Sequence, residues 1–137
     1  MSKMVCLCGG LISDTVCPCP TEGWILRDQD QEGFYETTSR DIAAFFAAVQ
    51  AGRRNDWIVE YFSRQYPCDV SDEGIIYDII AHHKRQVVLS VAECERCGRL
   101  WVQRGPEINE YRSYSPDVQG YAGVLKSRVE KTAKTEG

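Results

Sequence analysis

The chain has 137 residues, of which 43% are hydrophobic and 26% are charged, and its formal net charge is −4. This length and balance fit one soluble globular domain with a core large enough that a metal need not carry the whole fold. The acidic balance argues against a nucleic-acid-binding module, which usually has a basic face, and favours a basic partner.

The cysteine count indicates a reducing compartment. The chain has seven cysteines, an odd number, and the residues before Cys6 lack the apolar core of a signal peptide. No apolar run approaches the length of a membrane span. We therefore expect a cytoplasmic protein with reduced thiols, in which paired cysteines bind metal more often than they form disulfides.

Alternating or β-branched apolar residues between turn signals predict several short strands. These strands are expected over residues 4–8, 11–16, 23–28 and 111–114, and in a β-hairpin over residues 86–104. Apolar residues at helical spacing predict three helices, over roughly 39–51, 55–65 and 72–84. Thr38 or Ser39 is expected to cap the first helix, and Ser71 is expected to cap the third.

The C-terminal part of the chain has weaker signals. A short helix is predicted near residues 119–126. The residues after it are charged and carry few large apolar groups, which is typical of a frayed end. We therefore predict a single domain over residues 1–126 and a flexible tail over residues 127–137.

Two cysteine pairs, each followed by glycine, predict a metal site. Cys94 and Cys97 stand two residues apart inside the predicted hairpin of 86–104, and Cys6 and Cys8 form a tighter pair near the N-terminus. Structural zinc takes four ligands in a tetrahedron, so one pair requires another. We predict one structural zinc ion bound by these four thiols, with an iron–sulfur centre as a minor alternative.

Two further thiols are alternative candidate ligands for the metal. Cys17 and Cys19 lie in a run with prolines on both sides of Cys19, which holds the chain extended. Four thiols between residues 6 and 19 could close a site by themselves. The glycine that follows each of the other two pairs favours the long-range site, and whether Cys17 or Cys19 touches the metal stays open.

The two glycine-terminated pairs, with the second inside a β-hairpin, resemble a zinc ribbon over residues 4–10 and 88–103. More than eighty residues, including the helices, separate the two halves. The resemblance implies an α+β fold: a small antiparallel sheet with a zinc-knuckle site, covered by about three helices.

An acidic run follows the third predicted strand. We interpret it as a solvated polar loop over residues 29–33 that could also dock a basic partner, with aromatic side chains as anchors. The partner-binding residues that we predict are acidic or aromatic: Asp28, Asp30, Glu32, Phe34, Tyr35 and Glu36.

Three stretches of the sequence are similar to a group of small acidic bacterial proteins. These stretches are Cys-Gly-Gly-Leu-Ile-Ser-Asp, Trp-Ile-Leu-Arg-Asp-Gln-Asp and Cys-Glu-Arg-Cys-Gly-Arg-Leu-Trp. Some proteins of this type accompany secreted polymorphic toxins as cognate immunity proteins. The resemblance implies a zinc-stabilised immunity protein that binds and occludes a cognate toxin with a basic surface.

The sequence contains no nucleophile–base set, phosphate-binding loop or open metal site, so we expect a binding protein without enzyme activity. The alternative is a nucleic-acid-binding zinc-ribbon protein in transcription or translation. Its contacts would be Arg96, Arg99 and Arg104, around the second cysteine pair. A third interpretation is an enzyme whose site is assembled from dispersed residues.

Overall fold

The computed structural model describes residues 3–129. These residues form three helices and two antiparallel sheets, which confirms the predicted α+β class. They divide into two compact units. The β unit joins residues 3–25 to residues 89–129, and the helical unit is Leu26–Val88. No helix within the described part of the chain has the length and apolar character needed to cross a membrane.

Six short strands form two sheets. Their bounds are β1 Lys3–Val5, β2 Leu11–Ser13, β3 Glu22–Leu26, β4 Val88–Glu93, β5 Leu100–Gln103 and β6 Tyr111–Tyr114. Strands β1 and β2 form an antiparallel pair, and the second sheet has the order β3-β4-β5-β6. Each predicted strand is present, although several are shorter than the sequence indicated. In the antiparallel pair of β4 and β5, Ala92 lies opposite Trp101.

Three amphipathic helices form the helical unit. Their bounds are α1 Asp28–Gln50, α2 Arg54–Tyr61 and α3 Asp72–Val87. Their apolar stripes meet in one core, where Phe45, Ile58, Ile75 and Ile79 are each 0% exposed. The predicted cap of α3 is confirmed, because the Ser71 hydroxyl accepts a hydrogen bond from the Gly74 N–H at 3.1 Å.

The first helix begins eleven residues earlier than the sequence indicated. The predicted polar loop over 29–33 is wrong, because these residues form the first turns of α1, and Thr38 is buried inside the helix instead of capping it. Glutamate and glutamine are good helix formers, and Asp28 and Asp30 in the first turn suit the positive end of the helix dipole. Gly33 is exposed, and its cost of about 1 kcal/mol does not outweigh these preferences.

The helix predicted near residues 119–126 is also wrong, since this segment forms turns. Gly120 and Gly123 have φ angles of 113° and 68°, which a right-handed helix cannot accommodate. The single domain over residues 1–126 stays a prediction. Of the predicted flexible tail, residues 130–137 lie outside the described part of the chain.

A polar network joins the three helices of the helical unit. The Asp41 Oδ2 atom accepts a hydrogen bond from the Tyr61 hydroxyl at 2.7 Å and lies 2.6 Å from His83 Nε2. Burial alone would raise the pKa of Asp41, but hydrogen bonds from Tyr61 and His83 outweigh it and hold this pKa below its usual value. Burial and the nearby charge of His83 lower the pKa of His82.

These shifts predict that the helical unit loses stability in acid. A histidine whose pKa is lowered in the folded state binds a proton more readily in the unfolded state. Protonation of His82 therefore lowers the free energy of unfolding as the pH falls below about 6.5. A carboxyl with a lowered pKa stabilises the fold above its unfolded value, so Asp41 removes more stability below about pH 4. Urea unfolding at several pH values, followed by helical circular dichroism, measures both steps.

The variant Asp41→Asn separates the two steps. It should lower the free energy of unfolding at neutral pH by about 2 kcal/mol and remove the step below pH 4, while the step near pH 6.5 remains. The exposed residue Asp28 offers a control, since Asp28→Asn should keep both steps. An unchanged low-pH step in Asp41→Asn would show that other carboxyl groups cause it.

Candidate metal centre

The first cysteine pair lies in a tight turn between β1 and β2. The Cys6 N–H donates to the Gly10 carbonyl at 2.8 Å, and the Gly9 N–H donates to the Cys6 carbonyl at 2.9 Å. Gly9 has a φ of 90°, which strongly favours glycine. The Gly10 N–H then donates to Cys8 Sγ at 3.3 Å. The turn therefore brings both sulfurs to one side and supplies a backbone hydrogen bond to one of them.

The second pair lies in an equivalent turn between β4 and β5. The Cys94 N–H donates to the Arg99 carbonyl at 2.9 Å, and the Gly98 N–H donates to the Cys94 carbonyl at 2.8 Å. Gly98 has a φ of 80°. The two turns thus share their hydrogen-bond pattern and a glycine with positive φ, although the first pair is spaced one residue more tightly.

The structure brings the four predicted ligands together. The sulfur atoms of Cys6, Cys8, Cys94 and Cys97 all lie within 4.8 Å of one another. The Cys6–Cys97 and Cys8–Cys94 sulfur pairs are each 3.6 Å apart. A tetrahedron of metal–sulfur bonds near 2.3 Å places neighbouring sulfurs about 3.8 Å apart. The cluster can therefore hold a metal ion with four sulfur ligands.

The rival thiols lie outside this cluster. Cys17 is exposed, and the Cys19 sulfur lies 3.3 Å from the Thr21 hydroxyl. Among residues 3–129, the group of side chains that could hold a metal ion contains only the four predicted cysteines. The long-range pairing of the two turns thus describes the cluster better than a site closed within residues 6–19.

The surroundings of the sulfurs shift the pKa values of Cys6 and Cys94 in opposite directions. Burial would raise the pKa of Cys6, but the Cys8 N–H, Trp101 and the neighbouring thiols outweigh it and lower this pKa to about 6. Burial raises the pKa of Cys94 to about 11, and the N–H groups of Cys97 and Arg96 offset this only in part. The Cys6 thiol therefore loses its proton readily, whereas the Cys94 thiol would have to give up its proton on binding a cation.

Trp101 is a further residue at the centre that the sequence did not single out. It packs against the core that Cys6 and Cys94 form with Ile12 and Ala92. Its indole N–H is buried, and a hydrogen bond from Trp101 is among the causes that lower the pKa of Cys6. A donor in this place suits a metal-bound thiolate. Strand alternation could have found it, because Trp101 follows the second turn on β5.

A C-terminal segment contacts the second turn and was also missed. The Gly120 N–H donates to the Cys97 carbonyl at 3.3 Å. The buried carboxylate of Glu93 accepts hydrogen bonds from the N–H groups of Ala122 and Gly123, at 3.4 and 3.2 Å. The residue before one of the four clustered cysteines thus positions a distant loop. Nothing in the sequence marks this contact, since glutamate at a strand end is usually exposed.

The predicted partner-binding residues all belong to α1, in the helical unit. Asp28, Glu32, Tyr35 and Glu36 are exposed. Asp30 and Phe34 are half-buried, and they line a cavity of about 340 Å³ between α1 and α3. None of the six belongs to the cysteine cluster.

The fold and the cluster define an α+β protein with a four-cysteine site that could hold a metal ion. The model of a family described as a domain of unknown function, DUF8617, matches residues 2–118, which include all four cysteines. The chain belongs to this family. No curated protein and no solved structure matches the chain.

Proposed function

We propose that the protein is a zinc-stabilised binding protein that acts as an immunity protein and neutralises a cognate bacterial toxin by occluding it. The observation that carries this proposal is the closed set of four sulfur ligands. Catalytic zinc keeps an open position for water or substrate, whereas four protein ligands fill the coordination sphere. A metal ion in such a site stabilises the fold that carries a binding surface, and it takes no part in catalysis.

Zinc fits the centre better than other metals. Zinc and iron both accept four thiolates in a tetrahedron. Zinc has no redox chemistry, which suits a centre whose role is structural. Reduced thiols also require a compartment such as the cytoplasm, which we propose as the location. Metal analysis of protein purified without added metal should find one zinc ion per chain, and iron with visible thiolate absorption would contradict this assignment.

The toxin-binding surface that we propose is the acidic face, defined as Asp28, Glu32 and Glu36 together with Tyr35. The three carboxylates are spaced four residues apart, so they lie on one side of α1. Within residues 3–129, none of the three forms an ion pair. Each like-charged pair at this spacing destabilises a helix by about 0.2–0.5 kcal/mol.

A basic partner would remove this repulsion, which gives the acidic face a physical preference for positive charge. Tyr35 is 57% exposed beside these carboxylates and offers an aromatic anchor. Asp30 contributes less, because it is half-buried and pairs with Arg27 at 2.8 Å. The helix holds the charges in a fixed row, so the face is organised before binding.

The test begins with co-purification from the native host at moderate salt, followed by mass spectrometry. We expect one stoichiometric partner that is toxic when expressed alone and harmless when the chain is co-expressed. The triple variant Asp28→Asn, Glu32→Gln and Glu36→Gln should slow association at least about tenfold at low salt. It should also abolish the rescue of growth.

A matched variant controls for net charge. Glu60→Gln, Asp69→Asn and Glu73→Gln remove three exposed carboxylates elsewhere in the helical unit. This control should bind within about twofold of the parent, because only charges that face the partner steer it strongly. Equal weakening by both variants would contradict the acidic face, and a partner without toxicity would contradict immunity.

The alternative function is nucleic-acid binding by a zinc ribbon. It is favoured by one observation, since Arg96 and Arg99 line the same cleft beside the second turn. Arg104, the third predicted contact, pairs with Glu110 at 2.8 Å. Recovery of nucleic acid in the co-purification, with binding that falls steeply as salt rises, would move the assignment to this function.

A further inference from the structure

A cleft of about 460 Å³ opens beside the metal centre in the β unit. The half-buried ligands Cys8 and Cys97 form part of its wall, whereas the other two sulfurs are in the core. Its remaining wall comes from Leu7 of the first turn, from the second turn and from the segment of residues 115–120. The cleft is therefore shaped by the same contacts that hold the C-terminal segment against the second turn.

The polar wall of this cleft carries two arginines. Arg96 and Arg99 both line it, and Ser115 and Gln119 add neutral polar groups. Among residues 3–129, neither arginine forms an ion pair, whereas Arg27, Arg54 and Arg104 each pair with a carboxylate. Their two charges give the wall of this cleft a local positive character in a chain whose net charge is −4.

The hydrogen bonding of Arg99 is also incomplete. Its NH1 group donates to the Ser113 hydroxyl at 3.4 Å, and its Nε–H is buried without an acceptor. A guanidinium has five N–H donors, so within the described residues most donors of this side chain have no protein acceptor. Arg99 can turn toward an anion while losing only one long hydrogen bond.

The metal centre offers a competing explanation for these arginines. Four thiolates around one divalent cation carry formally two negative charges, which two guanidinium groups could balance. In the described residues, however, the sulfurs take hydrogen bonds from backbone N–H groups, those of Gly10 at Cys8 and of Cys97 and Arg96 at Cys94, and no hydrogen bond joins the guanidinium group of Arg96 or Arg99 to a sulfur. The N–H donors of both side chains thus remain available to a ligand in the cleft.

We propose that this cleft binds the oxyanion of a small molecule, a phosphate or carboxylate group, between Arg96 and Arg99. Guanidinium groups match both anions with two parallel N–H···O bonds. Ser115 and Gln119 supply further donors at the same cleft. This site lies in the β unit and is independent of the acidic face, which belongs to α1.

The test uses the full zinc-loaded chain and titrates inorganic phosphate and acetate separately, with chloride at matched ionic strength. Amide and arginine Nε–H resonances report binding. We expect saturable shifts around the cleft with phosphate or acetate and none with chloride. The probe that binds more tightly identifies the class of ligand. Tighter binding of phosphate indicates a phosphorylated ligand, and tighter binding of acetate indicates a carboxylic acid.

Variants decide whether the arginines hold the anion. Arg96→Gln with Arg99→Gln should weaken binding at least about tenfold, whereas Arg104→Gln should stay within about twofold. The single variant Arg96→Gln changes an exposed residue, so it provides a folded intermediate case. Zinc content is measured on every sample. The proposal fails if chloride gives the same shifts, if Arg104→Gln weakens binding equally, or if the double variant loses zinc affinity while anion binding is unchanged.

Discussion

Replacing Cys94 by serine is expected to abolish tight zinc binding and to destabilise the β unit. Cys94 is 1% exposed, and it forms the core of this unit together with Cys6, Ile12 and Ala92. Two of the four residues in this buried cluster are therefore thiols of the candidate metal site. The free energy of structural zinc binding is also folding free energy, and one ligand of four accounts for about 3 kcal/mol, or roughly 100-fold in affinity.

Two measurements check this result. Competition with a zinc chelator gives the affinity, and hydrogen exchange of β4 and β5 gives the stability of the β unit. Cys17→Ser is the matched control, because Cys17 is exposed in the same unit and lies outside the cluster. If Cys94→Ser binds zinc as tightly as the parent, or if Cys17→Ser weakens binding equally, the four-cysteine centre is not the zinc site.

The variant Gly98→Ala should be the second most damaging change. Gly98 has a φ of 80°, and a Cβ atom there would lie 2.1 Å from the Gly120 carbonyl oxygen. The left-handed conformation costs an alanine about 1–2 kcal/mol. The contact with Gly120 adds to this cost, because a backbone atom cannot move away as a flexible side chain can. We expect a total loss of at least about 3 kcal/mol in unfolding free energy.

A variant of the equivalent glycine in the first turn separates the cost of the left-handed conformation from the cost of the contact with Gly120. Gly9 has a φ of 90°, and a Cβ atom there would meet only the flexible end of Arg96, at 3.6 Å. Gly9→Ala should therefore show the conformational cost alone, about 1–2 kcal/mol, in urea unfolding of the zinc-loaded protein. Equal losses in the two variants would mean that the C-terminal segment does not hold the second turn closely.

The cysteine cluster could be predicted because its signals are local. Each turn needs a glycine with positive φ just after its cysteines, and the requirement for four ligands links the two turns across more than eighty residues. The core-facing stripes of the helices were predictable for the same kind of reason, since burial recurs at helical spacing, at Phe45 and Ala48 of α1 and at Ile75 and Ile79 of α3.

The start of α1 was harder to predict because its first turns carry no apolar stripe. The residues from Asp28 to Glu36 are mostly acidic or polar, and such a run suits either a loop or the first turns of a helix. This difference changes the functional interpretation, because acidic residues that we expected in a solvated loop are held in a fixed row on a helix.

By itself, the sequence determined the α+β class, the helical core stripes and the four cysteines, because each depends on residue types at short, regular spacing. Only the tertiary structure decided what surrounds them: Trp101 beside Cys6, Glu93 holding the segment near Gly123, and Asp41 bonded to Tyr61 and His83. These contacts join residues that are far apart in the chain. Their energy comes from burial and from complementary donors and acceptors, which no local pattern encodes.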